Sequence, residues 1–247
     1  MGIEVKAKLF SPGFYNLLLP MNSLLSLLQL SDPTLPIGGF AHSYGLETYV
    51  QKEVVHDKKT AAEFVVQMLQ QNVQFTDAAF VSLAYNAAEL NDISTLKQLD
   101  EECTAVKLPK EIRIASQKLG MRLLKIFGSF TENRLVNELK ELIKKNSTPG
   151  NYSVLFGVFA SVLKLEKKET LTAFYYNAAV GMVTNCVKLI PLGQQDGQEL
   201  LFSLQPLITE LVAKSMQPDR EMIGLCCTGF DIRSMQHEAL YSRLYMS

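Results

Sequence analysis

Apolar residues in this chain recur at steps of three and four positions, and this spacing constrains the fold more than any other feature of the sequence. It places apolar side chains along one face of an α-helix, and residues 65–83 and 112–126 each carry such a stripe. No segment alternates apolar and polar residues over a convincing length, and the chain has no tandem repeat. The sequence therefore predicts an all-α protein with about eight to ten helices.

Local signals indicate where some of these helices begin and end. Thr60 followed by Glu63 has the form of a capping box, and we expect one long helix to continue from there through residue 83. Residues 152–165 are apolar on most sides, which is typical of a central helix. The last helical pattern covers residues 232–245.

We expect one domain, because a helical chain of 247 residues can bury a substantial core without a second one. Residues 1–21 lack clear periodicity and are expected to form an N-terminal extension. Residues 22–217 are expected to form a single-domain helical bundle. Helix signals become sparse beyond it, and residues 218–247 are expected to form a C-terminal tail that orders on a partner.

The charge distribution argues against a nucleic-acid partner. The net charge is -1, and basic residues alternate with acidic ones instead of clustering. The apolar run before residue 31 is interrupted by Pro20, Asn22 and Ser23 and is too short to span a bilayer, so we expect no membrane association. Four cysteines without a spaced framework favour reduced thiols in the cytoplasm.

The set of residues that could support catalysis is small. Only three histidines are present, and none pairs with another at the helical spacing of metal ligands. Cys226 and Cys227 with His237 could hold a soft metal, but buried thiols and an unrelated surface histidine are the simpler interpretation. No phosphate-binding loop or hydrolase motif occurs. We therefore expect a protein that is not an enzyme and that holds no cofactor or metal.

The stretch LPIGGFAHSYGLE, residues 35–47, interrupts the helical pattern. Prolines stiffen the backbone, and Gly38 with Gly39 lets it turn sharply, yet apolar and aromatic residues follow. A stiff loop presents its side chains in one shape at low entropic cost, as a binding surface requires. We interpret this stretch as a docking element centred on Phe40.

Two predicted helices carry polar or small residues in unusual positions. Arg113 and Gly120 fall on one face, where Gly120 favours close helix packing and Arg113 is suited to orient a partner carboxylate. Along a later apolar helix runs a polar stripe: Asn177, Gly181, Asn185 and Lys188. A satisfied hydrogen-bond ladder within the core is the simpler interpretation of this stripe, and a polar, water-filled passage is the alternative.

The tail contains more apolar residues than a free chain end tolerates in water. Tyr241 and Tyr245 are four positions apart with Arg243 between them, and tyrosine and arginine dominate binding hot spots. Either this tail packs back on its own domain, or it folds onto a partner.

Four stretches together resemble the UreF family of urease accessory proteins: LLSLLQLSDPTLPIGGFAHSYGLETYV, EIRIASQKLGMRLL, AAVGMVTNCVKLIPLGQQDGQELL and IRSMQHEALYSRLYMS. They occur in the family's order and with similar spacing, so the resemblance extends from residue 23 to the C-terminus. It does not cover residues 1–20, and residues 222–229 fit it more loosely.

This resemblance implies an all-α, non-enzymatic scaffold that forms a homodimer. The implied partners are UreD, also called UreH, the nickel-carrying GTPase UreG, and apo-urease, to which the assembly delivers nickel. The C-terminal segment is expected to order when UreD binds. A regulator that activates GTP hydrolysis by UreG is the alternative, with Arg113 and Arg243 as candidate residues. A nickel carrier in its own right is a third reading, for which the chain offers few ligands.

The resemblance also indicates which positions are expected to bind partners. They lie in the loop, on two helices and in the tail: Pro36, Gly38, Phe40, His42, Tyr44, Glu47, Arg113, Lys188, Gln236, Glu238, Tyr241, Arg243 and Tyr245. Position 40 is aromatic in the family pattern and is Phe here, so no role at this position can depend on a tyrosine hydroxyl.

Overall fold

The computed structural model describes residues 22–225 and 227–246, and the architecture of this part is all-α, as predicted. Twelve α-helices and no strand occur in it. The helices are α1 (Ser23–Leu30), α2 (Leu46–Gln51), α3 (Lys58–Gln67), α4 (Asp77–Glu89), α5 (Ile93–Val106), α6 (Lys110–Phe127), α7 (Arg134–Lys144), α8 (Tyr152–Val162), α9 (Lys167–Leu189), α10 (Gln194–Ser203), α11 (Gln205–Ser215) and α12 (Thr228–His237). The predicted extension, residues 1–21, and Cys226 lie outside the described residues.

The described residues contain more helices than expected because two apolar patterns are each divided. The predicted long helix is split into α3 and α4 by a π-helical turn, Met68–Val73. α3 also begins earlier than predicted, since the side chain of Asp57 accepts a hydrogen bond from the Thr60 amide at 2.8 Å. Thr60 is therefore the third residue of α3 and not its cap. The second pattern, residues 196–216, is expected from the sequence to form one helix with a kink at Pro206, and it is divided at Leu204 into α10 and α11.

Helix α8 forms the centre of the core, as its apolar sequence predicts. Every residue from Ser153 to Ser161 is buried, and α8 packs most extensively against α4 and α6. Gly157 permits the close contact with α4, because an added Cβ would lie 2.4 Å from the carbonyl oxygen of Val81. Gly120 of α6 similarly allows the carbonyl of Gly150 to approach, which confirms the packing role expected for Gly120.

A buried carboxylate joins α5 to the segment between α7 and α8. One oxygen of Asp100 accepts hydrogen bonds from the Thr148 hydroxyl and the Gly150 amide, both at 2.6 Å. The other oxygen accepts from the amide and the side chain of Asn151, at 2.7 and 2.8 Å. These bonds fix the segment against which Gly120 packs.

The C-terminal part of the chain packs against the helical body. Arg220, in a 3₁₀ turn before α12, pairs with Glu102 of α5 at 2.9 Å. α12 ends at His237, so the helix predicted for residues 232–245 stops early and residues 238–246 continue as an irregular segment. None of the helices in the described ranges is long and apolar enough to cross a membrane.

We predict that Asp100→Ala lowers the free energy of unfolding by about 3 kcal/mol, because the amides of Gly150 and Asn151 then lose their buried acceptor. Urea denaturation followed by circular dichroism measures this change. Glu101→Ala is the matched control, since Glu101 is exposed on the same helix and its pair with Lys97 contributes less than about 0.5 kcal/mol. Equal stabilities of the two variants would contradict the role given to Asp100.

Candidate functional site

The predicted docking loop lies between α1 and α2, and its glycines make the sharp turns. Gly38 and Gly45 adopt φ angles of 88° and 78°, a region that favours glycine. Arg122 of α6 donates a hydrogen bond to the carbonyl oxygen of Ile37 at 2.7 Å and so anchors the loop to the body. Phe40 is 66% exposed, so the anchored loop presents this ring to solvent.

Directly after the loop, the buried carboxylate of Glu47 holds the C-terminal tail. Its Oε1 accepts a hydrogen bond from the amide of Leu244 at 2.7 Å. Its Oε2 accepts from the amide of Tyr245 and lies near Nε2 of His237, both at 3.1 Å. Glu47 is only 5% exposed, and these donors compensate for the loss of its hydration.

His237 lies between two carboxylates. Its Nδ1 is 2.7 Å from Glu111 Oε2, and Arg243 donates to the other oxygen of Glu111 at 2.8 Å. The imidazole ring therefore bridges the two carboxyl groups. We call Glu47, Glu111, His237 and Arg243 the tail cluster.

Two expectations about the tail were wrong. His237 is fully buried, not an unrelated surface residue, and both ring nitrogens already face carboxylate oxygens. Tyr241 and Tyr245 do not share a helix face, because α12 ends before them. Tyr241 is fully exposed and Tyr245 is buried, since Glu47 binds backbone amides that a longer helix would have used internally.

The tail ends beside the docking loop. The amide of Met246 donates a hydrogen bond to the carbonyl oxygen of Ala41 at 2.8 Å. Four large exposed side chains lie on these joined segments, and we call them the docking surface: Phe40, Tyr241, Leu244 and Met246. The loop and the tail thus present apolar groups from one fixed framework.

A cavity of about 190 Å³ lies beneath the loop, bounded by the π-helical turn, α6 and α9. All four residues of the polar stripe line this cavity: Asn177, Gly181, Asn185 and Lys188. Asn185 is buried, and its Nδ2 donates to the carbonyl oxygen of His42 at 2.9 Å, so this one amide of the stripe has a partner within the chain. Gly181 has no heavy atom within 4 Å of the position of an added Cβ, so α9 leaves open space there.

A buried ion pair forms part of the cavity lining. Lys107 Nζ donates to both oxygens of Asp77, at 2.8 and 2.9 Å. Tyr44 and Tyr152 also line the cavity and interact electrostatically with Asp77. No local sequence signal marks Asp77, Lys107 or Tyr152 as site residues. Lys107 directly follows α5, where an exposed lysine is the ordinary case.

The remaining predicted partner-binding residues are distributed over the surface and the interior. Pro36, Lys188, Gln236 and Glu238 are exposed. Arg113 is half-buried, and its Nη1 donates to the carbonyl oxygens of Lys107 and Leu108, at 2.8 and 3.1 Å, so it caps the end of α5. Arg113 as a partner contact stays a prediction.

Two of the described thiols, those of Cys103 and Cys186, are buried. Burial raises the pKa of Cys103 and of Cys186 to about 12, which keeps both thiols protonated. Within residues 22–225 and 227–246, no three His, Cys, Asp or Glu side chains are grouped so that they could hold a metal ion. Cys226, one of the ligands considered in the sequence, lies outside those ranges.

Comparison with known proteins gives consistent matches. The family model UreF matches residues 55–205. A urease accessory protein UreF from Actinobacillus pleuropneumoniae serotype 5b (strain L20) is 48% identical over 227 residues, which cover 92% of this chain and 100% of the relative. The Haemophilus influenzae (strain PittEE) protein of the same name is 47% identical over 92% of this chain and 97% of its own length. The urease accessory protein UreF from Bacillus sp. (strain TB-90) is 36% identical over 92% of this chain and 100% of its own length.

We predict that His237→Ala frees the tail, because it removes the ring that bridges Glu47 and Glu111. Exchange of the Leu244 and Tyr245 amide hydrogens should become roughly 100-fold faster, which corresponds to about 3 kcal/mol. Hydrogen exchange read by NMR measures these two amides directly. Gln236→Ala is the matched control, since Gln236 is exposed and its side-chain oxygen accepts a hydrogen bond from the Arg233 side chain, outside the tail cluster. Unchanged exchange in His237→Ala would contradict the role of the tail cluster.

Proposed function

This chain belongs to the UreF family of urease accessory proteins and so acts in urease maturation, and we propose that it does so as a cytoplasmic, non-enzymatic scaffold. In this proposal it forms a homodimer and bridges UreD, also called UreH, and the nickel-carrying GTPase UreG. The assembly then inserts nickel into apo-urease, so nickel is the cargo of the complex and no cofactor of this chain is involved.

The docking surface is the single observation that most supports a scaffold. Phe40 stands on a loop anchored by Arg122, and Leu244 stands on a tail anchored by Glu47. A surface that is ordered before binding loses little conformational entropy on association. Exposed aromatic side chains such as Phe40 and Tyr241 are also the residue types that dominate binding hot spots.

The alternative, a regulator that activates GTP hydrolysis by UreG, needs a side chain that reaches the nucleotide of another protein. Its two candidate arginines are both engaged within this chain. Arg113 donates to two carbonyl oxygens, and Arg243 donates to Glu111. Alanine variants that lower GTP hydrolysis while the complex persists would favour the regulator over the scaffold.

We also propose that the cavity forms part of a passage for nickel, with Asn177, Gly181 and Asn185 on its wall. The open space at Gly181 and the amide of Asn177 support this idea. Asn185 gives weaker support for a passage, because its side-chain amide already donates a hydrogen bond to the carbonyl oxygen of His42 in the docking loop.

We predict that Phe40→Ala weakens binding to UreD or to UreG by at least about 30-fold, which corresponds to about 2 kcal/mol. Isothermal titration calorimetry with each purified partner measures the affinity. Phe202→Ala is the matched control, because Phe202 is 71% exposed on α10, outside the loop and the tail. If Phe40→Ala leaves both affinities unchanged, the docking role of the loop is wrong.

We predict that Gly181→Leu lowers urease activation without dissociating the complex. An added Cβ meets no heavy atom within 4 Å, so the fold accepts a side chain at this position of the cavity lining. Light scattering with size-exclusion chromatography checks assembly, and nickel-dependent urease activity checks delivery. Thr172→Leu, exposed on the same helix and outside the cavity, is the control. Activation at the unmodified rate in Gly181→Leu would exclude the passage.

A further inference from the structure

We propose that the cavity beneath the docking loop is a binding site for a small uncharged organic molecule that combines an apolar ring with a hydrogen-bond acceptor, such as an amide carbonyl. This inference does not rest on the role in urease maturation. It rests on donors in the cavity lining that lack a protein partner, on the charge balance of these residues, and on the size and shape of the space.

Three polar groups in the cavity lining retain unused hydrogen-bond donors. An ammonium group has three N–H bonds, and within the described residues Lys107 donates only to the two oxygens of Asp77. The hydroxyls of Tyr44 and Tyr152 have no hydrogen-bond partner in the described part of the chain. Because these groups face a cavity that admits water, a ligand acceptor would bind their donors in place of water.

The charges of the lining favour an uncharged ligand. Burial lowers the pKa of Lys107, but the adjacent Asp77 carboxylate outweighs this effect, so the pair stays ionic and neutral as a whole. Burial raises the pKa of Tyr44 to about 12 and also raises the pKa of Tyr152, so both hydroxyls remain protonated donors. A charged organic group held beside the Asp77–Lys107 pair would lose its hydration without gaining a free counter-charge.

The size of the cavity suits a single ring. Its volume of about 190 Å³ is somewhat larger than the cavity of about 150 Å³ that holds benzene in another protein. Apolar side chains, among them Ile37, Met68, Phe174 and Met182, form much of the wall. A six-membered ring with one short polar substituent would therefore fill the space and could direct that substituent to the free donors.

One backbone feature of the cavity is typical of functional sites. The π-helical turn lines it through Met68 and Val73, and such turns occur frequently at functional sites. Near Gly181, α9 leaves the space from which a ligand can enter.

The first test uses benzamide and the full chain labelled with ¹³C at its methionine methyl groups. Met68 and Met182 line the cavity, whereas Met222 and Met235 are exposed elsewhere. We expect benzamide to bind with a Kd of about 1 mM or tighter. It should shift the methyl signals of Met68 and Met182 and leave those of Met222 and Met235 in place.

Three related compounds test the ligand class. Toluene keeps the ring without an acceptor, acetamide keeps the amide without a ring, and benzoate keeps the shape but adds a charge. We expect each to bind at least about tenfold more weakly than benzamide, because each loses apolar contact, a hydrogen bond or hydration.

The variant Tyr44→Phe with Tyr152→Phe tests the donors, since it removes both hydroxyls and keeps both rings. We expect its affinity for benzamide to fall about tenfold. Tyr176→Phe is the matched control, because Tyr176 is exposed on α9 and outside the cavity lining. Thermal unfolding of each variant shows whether the fold is intact.

Two kinds of result would overturn the proposal. The site is wrong if the Met68 and Met182 signals do not move at about 10 mM benzamide. The ligand class is wrong if toluene or benzoate binds as tightly as benzamide, or if the folded double variant binds benzamide as well as the Tyr176→Phe control does.

Discussion

Much of the organisation of this protein depends on one buried carboxylate. Glu47 follows the docking loop directly, and it accepts hydrogen bonds from His237 and from two backbone amides of the tail. Because removing a carboxylate from water is costly, the donors that compensate for it also fix the path of the tail beside α2. Two segments from opposite ends of the described chain therefore form one surface instead of two independent ones.

The helices were predictable because their signals are local. The apolar stretch that became α8 needed only its own composition to indicate a central position, and its residues 153–161 are buried. The π-helical turn was not predictable, since the apolar spacing continues through Met68–Val73 without a glycine or proline to mark a break. The helix after residue 232 was overestimated because the pattern cannot show that Glu47 competes for the backbone amides of Leu244 and Tyr245.

The candidate site likewise contains some residues that local sequence signals identify and others that they do not. Phe40 could be identified because prolines and glycines around an apolar residue are a local sign of a stiff, exposed loop. The tail cluster and the Asp77–Lys107 pair could not, since each joins residues that are distant in sequence. A single sequence shows which residues are ionisable but not which of them contact one another. In these two groups the contacts form only in the tertiary structure.

The way Glu47 holds the tail has a consequence for how this surface can change during evolution. Glu47 binds the backbone N–H groups of Leu244 and Tyr245, and every residue except proline supplies that group. The exposed side chain at position 244 is therefore free to vary while the path of the tail stays the same. The tail is thus attached through its backbone, whereas the chemistry of the exposed surface depends on its side chains. Substitutions can therefore change this surface without changing the path of the tail.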